Sequence, residues 1–467
     1  MLRYVCIRVL LIFPVFILIS TIVYLLSTFS PGDRVKQYLD IYGTGYSADE
    51  KISDEDYMIT AKKLNLDKPH FYFSIVPRYF PDTLHRIVIP DRKQLARMLL
   101  NETGSWSLVS EILNLTVELN KMKPDINDDG SHGQINEKLE KLMDNASLEE
   151  FLLDIKSLEN MAKKDSLSYI SDFTSDISSL LGRERQEYFS KGAFIPKFVW
   201  NGTANRFHIW FSKVIRFDFG VSMVDGRKVI EKLSESFPLT FTYVILAYLF
   251  SFLFAVPLGL FSASKSKSII VRFADSVLSS VYSVPLFWLS TLAVVFLTTD
   301  EVSGALNIFP SIGIGYSEPD ASLTDRLINA MPHFFLPALI VALYSAAYLS
   351  LLIRRNLEKE MSEVYFMSLL ARGIPKKAVF LKHAFPNSML SLITLVVMGF
   401  PAALAGSVVI EVVFNIPGMG RMLYDSLLRY DWNVVYTIVI FIGLLTYVFY
   451  IAGDVIYSLL NPKIRYK

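Results

Sequence analysis

The chain has 467 residues, and its 46 Lys and Arg nearly balance its 45 Asp and Glu, which leaves a formal net charge of +1. Hydrophobic residues make up 52% of the sequence and the mean hydropathy is +0.37, although 19% of the residues are charged. These values occur together only where charged residues are segregated from long apolar segments. The composition therefore argues against an ordinary soluble protein and indicates a membrane protein.

Six segments without Asp, Glu, Lys or Arg are each long enough to cross about 30 Å of hydrocarbon at about 1.5 Å per residue. They are residues 10–30, 236–264, 276–299, 327–353, 384–410 and 434–453. In lipid, only helices and closed barrels satisfy the backbone, and continuous apolar segments of this length indicate helices. We predict an all-α polytopic membrane protein with six transmembrane helices, the first of which is retained and not cleaved as a signal peptide.

The distribution of basic residues predicts the orientation of these helices. Lys and Arg are concentrated at both ends of the chain and in the loops after the second and fourth predicted spans, whereas the loops after the third and fifth are richer in acid. Basic loops favour the cytoplasmic side of a membrane. Both termini are therefore predicted to be cytoplasmic.

A polar region, 34–235, separates the first two predicted spans and is expected outside the cytoplasm. Apolar residues at helical spacing predict helices around 108–122, 148–158 and 170–181. The segments FYFSIVPRYF (71–80) and HRIVIP (85–90) predict short strands or edge segments, because aromatic and β-branched residues are interrupted by proline. We expect a mainly helical inserted domain at about 70–204.

Several kinds of catalytic or metal site have no counterpart in the sequence. It contains no GxxxxGK[ST] phosphate loop, no HExxH and no GxSxG motif, and its single cysteine, Cys6, excludes an internal disulfide. The loop Asp125–Gly130 resembles the first half of an EF-hand, but Asn136 occupies the place of the closing glutamate. An ordinary turn explains this loop, and calcium binding stays open. We predict a protein without catalytic residues, cofactor or nucleic-acid partner.

The segment YFMSLLARGIPKKAVFLKHAFPN, residues 365–387, predicts a short helix followed by a basic turn between two spans. We place this helix from about Met361 to Arg372. Gly373 can adopt positive φ, and it is expected to end the helix and return the chain to the membrane. Along the helix, an i, i+3, i+4, i+7 spacing produces one narrow, mostly apolar face, made of Val364, Met367, Ser368 and Ala371.

These residues resemble the inner-membrane permeases of ABC importers in the oligopeptide/dipeptide/nickel, or binding-protein-dependent transport, family. The resemblance is to the B-type subunit, whose first helix is followed by a PGD turn, here Pro31 to Asp33. A second matching segment is SVVIEVVFNIPGMGRMLYDSLLRYD, residues 407–431, and the resemblance covers roughly 1–69 and 205–467. It implies a type I ABC importer permease fold, with a first helix and turn at 1–33, the large extracytoplasmic region at 34–235 and a five-helix core at 236–467.

The resemblance also implies site residues. The ATPase-coupling loop, about 360–387, would include Val364, Tyr365, Met367, Ser368, Ala371, Gly373, His383, Pro386 and Asn387. An outer gate would include Glu411, Phe414, Pro417 and Gly418, although a structural hydrogen bond from Glu411 to the following loop is an equal alternative. The family's small residues before the loop glycine are here Leu369 and Leu370, which predicts a bulkier docking surface.

The implied mechanism is alternating access in a bacterial or archaeal cytoplasmic membrane. The expected partners are a second homologous permease subunit, two ABC ATPase subunits, an extracytoplasmic substrate-binding protein and the lipid bilayer. The inserted domain is expected to contact the binding protein or to cover the outer gate. The alternative is a domain that faces the cell envelope and has no part in transport. Two other classes compete, a secondary transporter and a polytopic sensor. The first should show internal repeats and charges in mid-membrane, and the second a cytoplasmic output domain.

Overall fold

The computed structural model describes residues 2–29, 32–42, 52–121, 131–142, 147–164, 167–184, 195–264, 268–299, 307–310, 312–315 and 322–460. Pro31 of the predicted PGD turn and the loop Asp125–Gly130 lie outside these ranges. The chain divides into two compact units. Unit 1 combines Met1–Gly32 with Phe217–Lys467, and unit 2 is Asp33–Arg216.

Helices dominate both units, and the described residues form only two strands longer than an isolated bridge. In chain order the elements are α1 Leu2–Leu10, α2 Ile12–Ser27, α3 Arg34–Tyr42, α4 Asp54–Lys63, β1 Phe73–Pro77, α5 Pro90–Thr103, α6 Trp106–Lys121, α7 Ser131–Lys141, α8 Leu148–Lys164, α9 Ser168–Glu184, β2 Pro196–Trp200, α10 Arg206–Val214, α11 Val229–Ser264, α12 Ile269–Ser283, α13 Leu286–Leu297, α14 Leu323–Ser362, α15 Val364–Ala371, α16 Lys376–Val379, α17 Phe385–Gly406, α18 Val408–Val413, α19 Met419–Leu428 and α20 Trp432–Leu460.

Unit 2 is built around the helices α5 to α9, which bury one continuous apolar core. The predicted helices correspond to α6, α8 and α9, each of which turns a stripe of Leu, Ile or Phe into that core. The predicted inserted domain, about 70–204, lies within this unit. The helical character expected for the middle of the insert is therefore confirmed.

The two segments predicted as strands in unit 2 have different structures. Phe73–Pro77 is a strand, and it pairs antiparallel with Pro196–Trp200 in a register that places Phe73 opposite Trp200. The prediction of a strand or edge segment at 85–90 is wrong, because a 3₁₀ turn forms at Leu84–Arg86, residues 87–89 belong to no helix or strand, and α5 begins at Pro90. Pro90 is the first residue of that helix, where a missing N–H costs nothing and the fixed φ is favourable.

Unit 1 is a multi-pass helical membrane protein. Within the described residues, four helical stretches have the length and hydropathy to cross a membrane: Cys6–Ser27, Val229–Ser264, Leu323–Ser362 and Trp432–Ile456. A bent pair, Ile269–Ser283 with Leu286–Leu297, makes up to five if it is one span. The remaining predicted span coincides with α17, whose apolar stretch Leu395–Leu404 is shorter. Six spans therefore stay a prediction.

The third predicted span, 276–299, is not a straight helix. Its two parts meet at 95° around Val284 and Pro285. Val284 is extended, with φ −80° and ψ 132°, because a residue before proline is sterically pushed out of the helical region. This bend separates α12 from α13; both helices contact α14, and α13 also contacts α18.

The two longest helices, α11 and α14, pack against each other. At Gly259, an added Cβ would lie 2.7 Å from the Ile353 Cβ, so only glycine permits this approach. Farther along, α11 and α14 share with α15 and α17 a core that includes Ala255, Leu357 and Phe366. The predicted loop helix is therefore packed into the helical bundle through a common apolar cluster.

Candidate functional site

The predicted coupling helix begins later than the sequence suggested. The long helix α14 continues to Ser362, and Met361 belongs to it. Glu363 is extended, with φ −71° and ψ 148°, and α15 starts at Val364. The predicted start at Met361 is wrong, because one extended residue separates two helices that the sequence pattern joins.

The short helix α15 has two distinct faces. Val364 and Met367 are 81% and 62% exposed, and Ser368 and Ala371 are exposed on the same side. These four residues are called the docking face below. On the other side Phe366 is buried, and Leu369 and Leu370 are packed against the core that α15 shares with α14 and α17. Leu369 and Leu370 therefore anchor the helix, and the predicted bulkier docking surface is wrong.

Gly373 ends α15 as predicted. Its φ is +83°, a region that side chains with a Cβ occupy only at a cost. The Gly373 amide donates to the Leu370 carbonyl at 2.9 Å, and the Ile374 amide donates to the Leu369 carbonyl at 3.3 Å. This pair of bonds is a Schellman motif, which satisfies carbonyls at the helix end. No atom lies within 4 Å of a Cβ added at Gly373, so its requirement for glycine comes from the backbone.

A polar junction made of Glu360, Tyr365 and Asn387 ties three helices together. The Tyr365 hydroxyl donates to Glu360 Oε2 at 2.6 Å, and Asn387 Nδ2 lies 3.4 Å from both that oxygen and the hydroxyl. Glu360 is near the end of α14, Tyr365 is in α15 and Asn387 is in α17. Partial burial and the bond to Glu360 raise the pKa of Tyr365 to about 12, so the phenol keeps its proton at neutral pH.

The junction gives two of the predicted loop residues a geometric role, and it adds one that sequence reasoning missed. That residue is Glu360, which precedes the matching segment 365–387 in the sequence. Its role is visible only in the structure, where its carboxylate accepts a hydrogen bond from Tyr365. His383 and Pro386 are exposed, at the π-helical turn Phe380–Ala384 and the start of α17. The structure does not place either of them in the polar junction.

The Glu411 carboxylate is completely buried and holds the start of α19. Thr240 donates its hydroxyl to Glu411 Oε1 at 2.7 Å, and the Arg421 amide donates to Oε2 at 2.8 Å. The Met419 amide in turn donates to Thr240 Oγ1 at 2.8 Å. A carboxylate at a helix N-terminus also interacts favourably with the helix dipole. These bonds supply the structural role that the sequence left as one of two alternatives for Glu411.

Gly418 lets the loop close over this carboxylate. A Cβ at Gly418 would lie 2.5 Å from both Glu411 Oε2 and Thr240 Oγ1, while its φ of −87° is ordinary. The constraint here is space and not backbone strain. Phe414 is buried with the apolar core around Tyr243, whereas Pro417 is exposed. A gating role for Glu411, Phe414, Pro417 and Gly418 stays a prediction.

Residues 255–466 match the family described as "Binding-protein-dependent transport system inner membrane component". The match contains both the coupling loop and the Glu411 loop. The matched residues, a little under half of the chain, are similar to this family of transport permeases. The family resemblance drawn from the sequence is thereby confirmed.

Two curated relatives illustrate the similarity of the permease to transport proteins. The oligopeptide transport system permease protein AppB of Bacillus subtilis is 25% identical over 288 residues, which cover 61% of this chain and 85% of AppB. The dipeptide transport system permease protein DppB of Escherichia coli is 27% identical over 272 residues, or 56% of this chain and 80% of DppB. Among solved structures, a chain of the inward-facing MetNI methionine ABC transporter is 16% identical, with a TM-score of 0.40. The similar region covers 49% of this chain and 96% of the MetNI chain.

Asp431 is a further buried acid of the permease, at the start of α20. Its carboxylate accepts a hydrogen bond from the Ser222 hydroxyl and another, at 3.0 Å, from the Met223 amide. Two residues later, Asn433 Nδ2 donates to the Val221 carbonyl at 2.8 Å. The sequence marked Asp431 only as a family match, because its partners are about two hundred residues away. The contacts show that it fastens the segment before α11 to the junction between α19 and α20.

Proposed function

We propose that this permease is one transmembrane subunit of an ATP-driven ABC importer. It would form half of the translocation pathway for peptides or similar small solutes and couple to separate ATPase subunits through the loop 360–387. The docking face of α15 is the observation that carries this proposal. Val364 and Met367 are exposed apolar side chains on a helix whose opposite side is anchored, an arrangement suited to a groove on a partner.

The anchoring of α15 gives coupling a physical basis. The polar junction and the buried Phe366 attach the helix to α14 and α17, so a displacement of α15 must move those helices as well. Packed helices transmit displacement as rigid bodies because cores are dense and resist compression. A closing motion of ATPase subunits would therefore reach the membrane helices through Glu360, Tyr365 and Asn387.

The remaining architecture follows from this proposal. The chain would cross the cytoplasmic membrane of a bacterium or archaeon six times, with α17 as the fifth span and both termini in the cytoplasm. It would pair with a second homologous permease, two ATPase subunits and an extracytoplasmic substrate-binding protein. The region 34–235 would lie outside, where the inserted domain would contact the binding protein. The subunit itself would carry no catalytic residues, and the Glu411 loop would lie at the outer gate.

A charge placed on the docking face tests the proposal. Val364→Asp and Met367→Asp should abolish co-purification of the ATPase subunits and substrate-stimulated ATP hydrolysis, because a carboxylate cannot be desolvated in an apolar groove without a partner. The matched control is Leu153→Asp, an equally drastic change at a 67% exposed position of α8 in unit 2. Normal ATPase binding and transport by both docking-face variants would overturn the proposal.

A further inference from the structure

A cavity of about 330 Å³ lies among α11, α12, α13, α14 and α17. Five tyrosines and three serines contribute to its wall, and the other lining residues are aliphatic. None of the lining residues carries a charge. The volume falls in the range of small-molecule sites, which are mostly apolar with a few polar groups that orient the ligand.

Three of the tyrosines form one aromatic surface. The Tyr282 ring lies 5.1 Å from the Tyr344 ring and is stacked at 5.9 Å on the Tyr348 ring. Tyr282 comes from α12 and the other two come from α14, so the surface joins two helices. Tyr282 and Tyr348 are 46% and 44% exposed, which leaves much of this surface open.

The hydroxyls of this surface have no partner within the described part of the chain, and neither does the Tyr248 hydroxyl. Other polar groups in the same wall are satisfied. Tyr243 donates to the Ser407 carbonyl at 3.4 Å, and Ser251 donates to the Ala247 carbonyl at 2.6 Å. Hydroxyls without partners are costly in an apolar membrane interior. Tyr248 lies near the middle of the predicted span 236–264, away from the interfacial positions where tyrosine is common.

We propose that this cavity binds the transported solute in transit and that its hydroxyls pair with the main-chain amides of a short peptide. The proposal rests on the function proposed above and adds to it a solute site and a mode of recognition. A tyrosine hydroxyl both donates and accepts, as main-chain N–H and C=O groups require. The aromatic faces would also attract the N-terminal ammonium of a peptide.

The absence of charge among the lining residues has a consequence for specificity. With no fixed acid or base in the wall, the cavity has no ion pair with which to select or reject a charged solute side chain. Recognition through the main chain is the same for every peptide sequence. Acidic, neutral and basic peptides should therefore depend on the tyrosine hydroxyls to a similar extent.

The test removes the hydroxyls and keeps the rings. The complex of permeases, ATPases and binding protein is reconstituted in liposomes, and uptake of three tripeptides is measured: trialanine, an acidic tripeptide and a basic one. In the triple variant Tyr282→Phe, Tyr344→Phe, Tyr348→Phe, uptake of each peptide that the native protein carries should fall by at least roughly five-fold, the factor expected for one lost neutral hydrogen bond. Co-purification with the ATPases shows that the variant has assembled.

The control is the double variant Tyr424→Phe, Tyr450→Phe, which removes two exposed hydroxyls outside the cavity and should leave uptake unchanged. A second variant, Ala403→Phe, fills the cavity without removing any tyrosine and should also lower uptake. Two results would overturn this inference alone. One is native uptake by both cavity variants, and the other is reduced uptake of only the acidic, only the neutral or only the basic tripeptide. If the unmodified complex carries none of the three tripeptides, both the inference and the peptide-transport proposal are wrong.

Discussion

Replacing Gly373 with valine should weaken ATPase binding without preventing membrane insertion. The residue has φ +83°, and this region costs a residue with a Cβ about 1–2 kcal/mol, with a β-branched side chain at the upper end. No neighbouring atom lies within 4 Å of the added Cβ, so collisions contribute nothing and the whole cost is backbone strain. The chain can relieve that strain only by opening the Schellman bonds of Gly373 and Ile374.

The size of the effect follows from this strain. A cost of about 1–2 kcal/mol lowers the ratio of correctly ended to misaimed helix by roughly 5- to 30-fold, and the apparent affinity for the ATPase falls by up to the same factor. Titration of detergent-solubilised permease with purified ATPase measures that affinity, and substrate-stimulated hydrolysis measures coupling. Gly373→Asn should retain more of both than Gly373→Val, because asparagine tolerates positive φ better than other residues with a Cβ.

Gly202 provides the matched control for this experiment. Its φ is +65°, and again nothing lies within 4 Å of an added Cβ, but it belongs to unit 2 and not to the coupling loop. Gly202→Val introduces a similar backbone strain and should leave ATPase binding intact. If Gly373→Val kept the native affinity, or if Gly202→Val lost as much, the role of Gly373 in aiming α15 would be refuted.

Four further outcomes are expected. Tyr365→Phe removes the central hydroxyl of the polar junction and should lower substrate stimulation of the ATPase several-fold while ATPase binding persists; unchanged stimulation would contradict the junction's role. Gly418→Ala should destabilise the permease by about 1–3 kcal/mol, seen as a lower Tm, because its Cβ would collide with the Glu411 carboxylate. The control Gly133→Ala adds a Cβ in open space on helix α7, where alanine is favoured over glycine, and should not lower the Tm. Asp431→Ala should cost about 1–3 kcal/mol by leaving the buried Ser222 hydroxyl and the part-buried Met223 amide without their acceptor, and an unchanged Tm would disprove that account. Pro77, the last residue of β1, pairs with Pro196, the first residue of β2, so residues 79–194 between them can be replaced with a short Gly/Ser turn. This deletion should impair uptake while ATPase binding stays normal. Native uptake would show that the insert is dispensable.

Local features of the loop were predictable because they depend on residue type. Gly373 ends its helix at positive φ, as glycine followed by Ile and Pro suggested. The bend in the third span also has a signal in the sequence, Pro285, which the prediction of a span at 276–299 did not use. Such features need no knowledge of what lies across the fold.

Features that depend on distant partners were not predictable. Leu369 and Leu370 are apolar, as a docking surface would be, and only the packing shows that they face the core. The role of Glu360 depends on Asn387, which α17 places beside it. The role of Asp431 depends on the segment before α11, which lies against the start of α20. The pairing of β1 with β2 likewise joins segments separated by more than a hundred residues. A single sequence does not show these long-range encounters.

Site-specific crosslinking tests the coupling claim most directly, and the sequence is well suited to it because Cys6 is its only cysteine. In a Cys6→Ser background, Met367→Cys places a thiol on the docking face and Leu153→Cys places one on an exposed helix of unit 2. A short thiol-reactive photocrosslinker is attached to each variant in membranes that contain the ATPase subunits. The account predicts an ATPase adduct from position 367 and none from position 153. The absence of an adduct at 367 in an assembled, transport-active complex would contradict it.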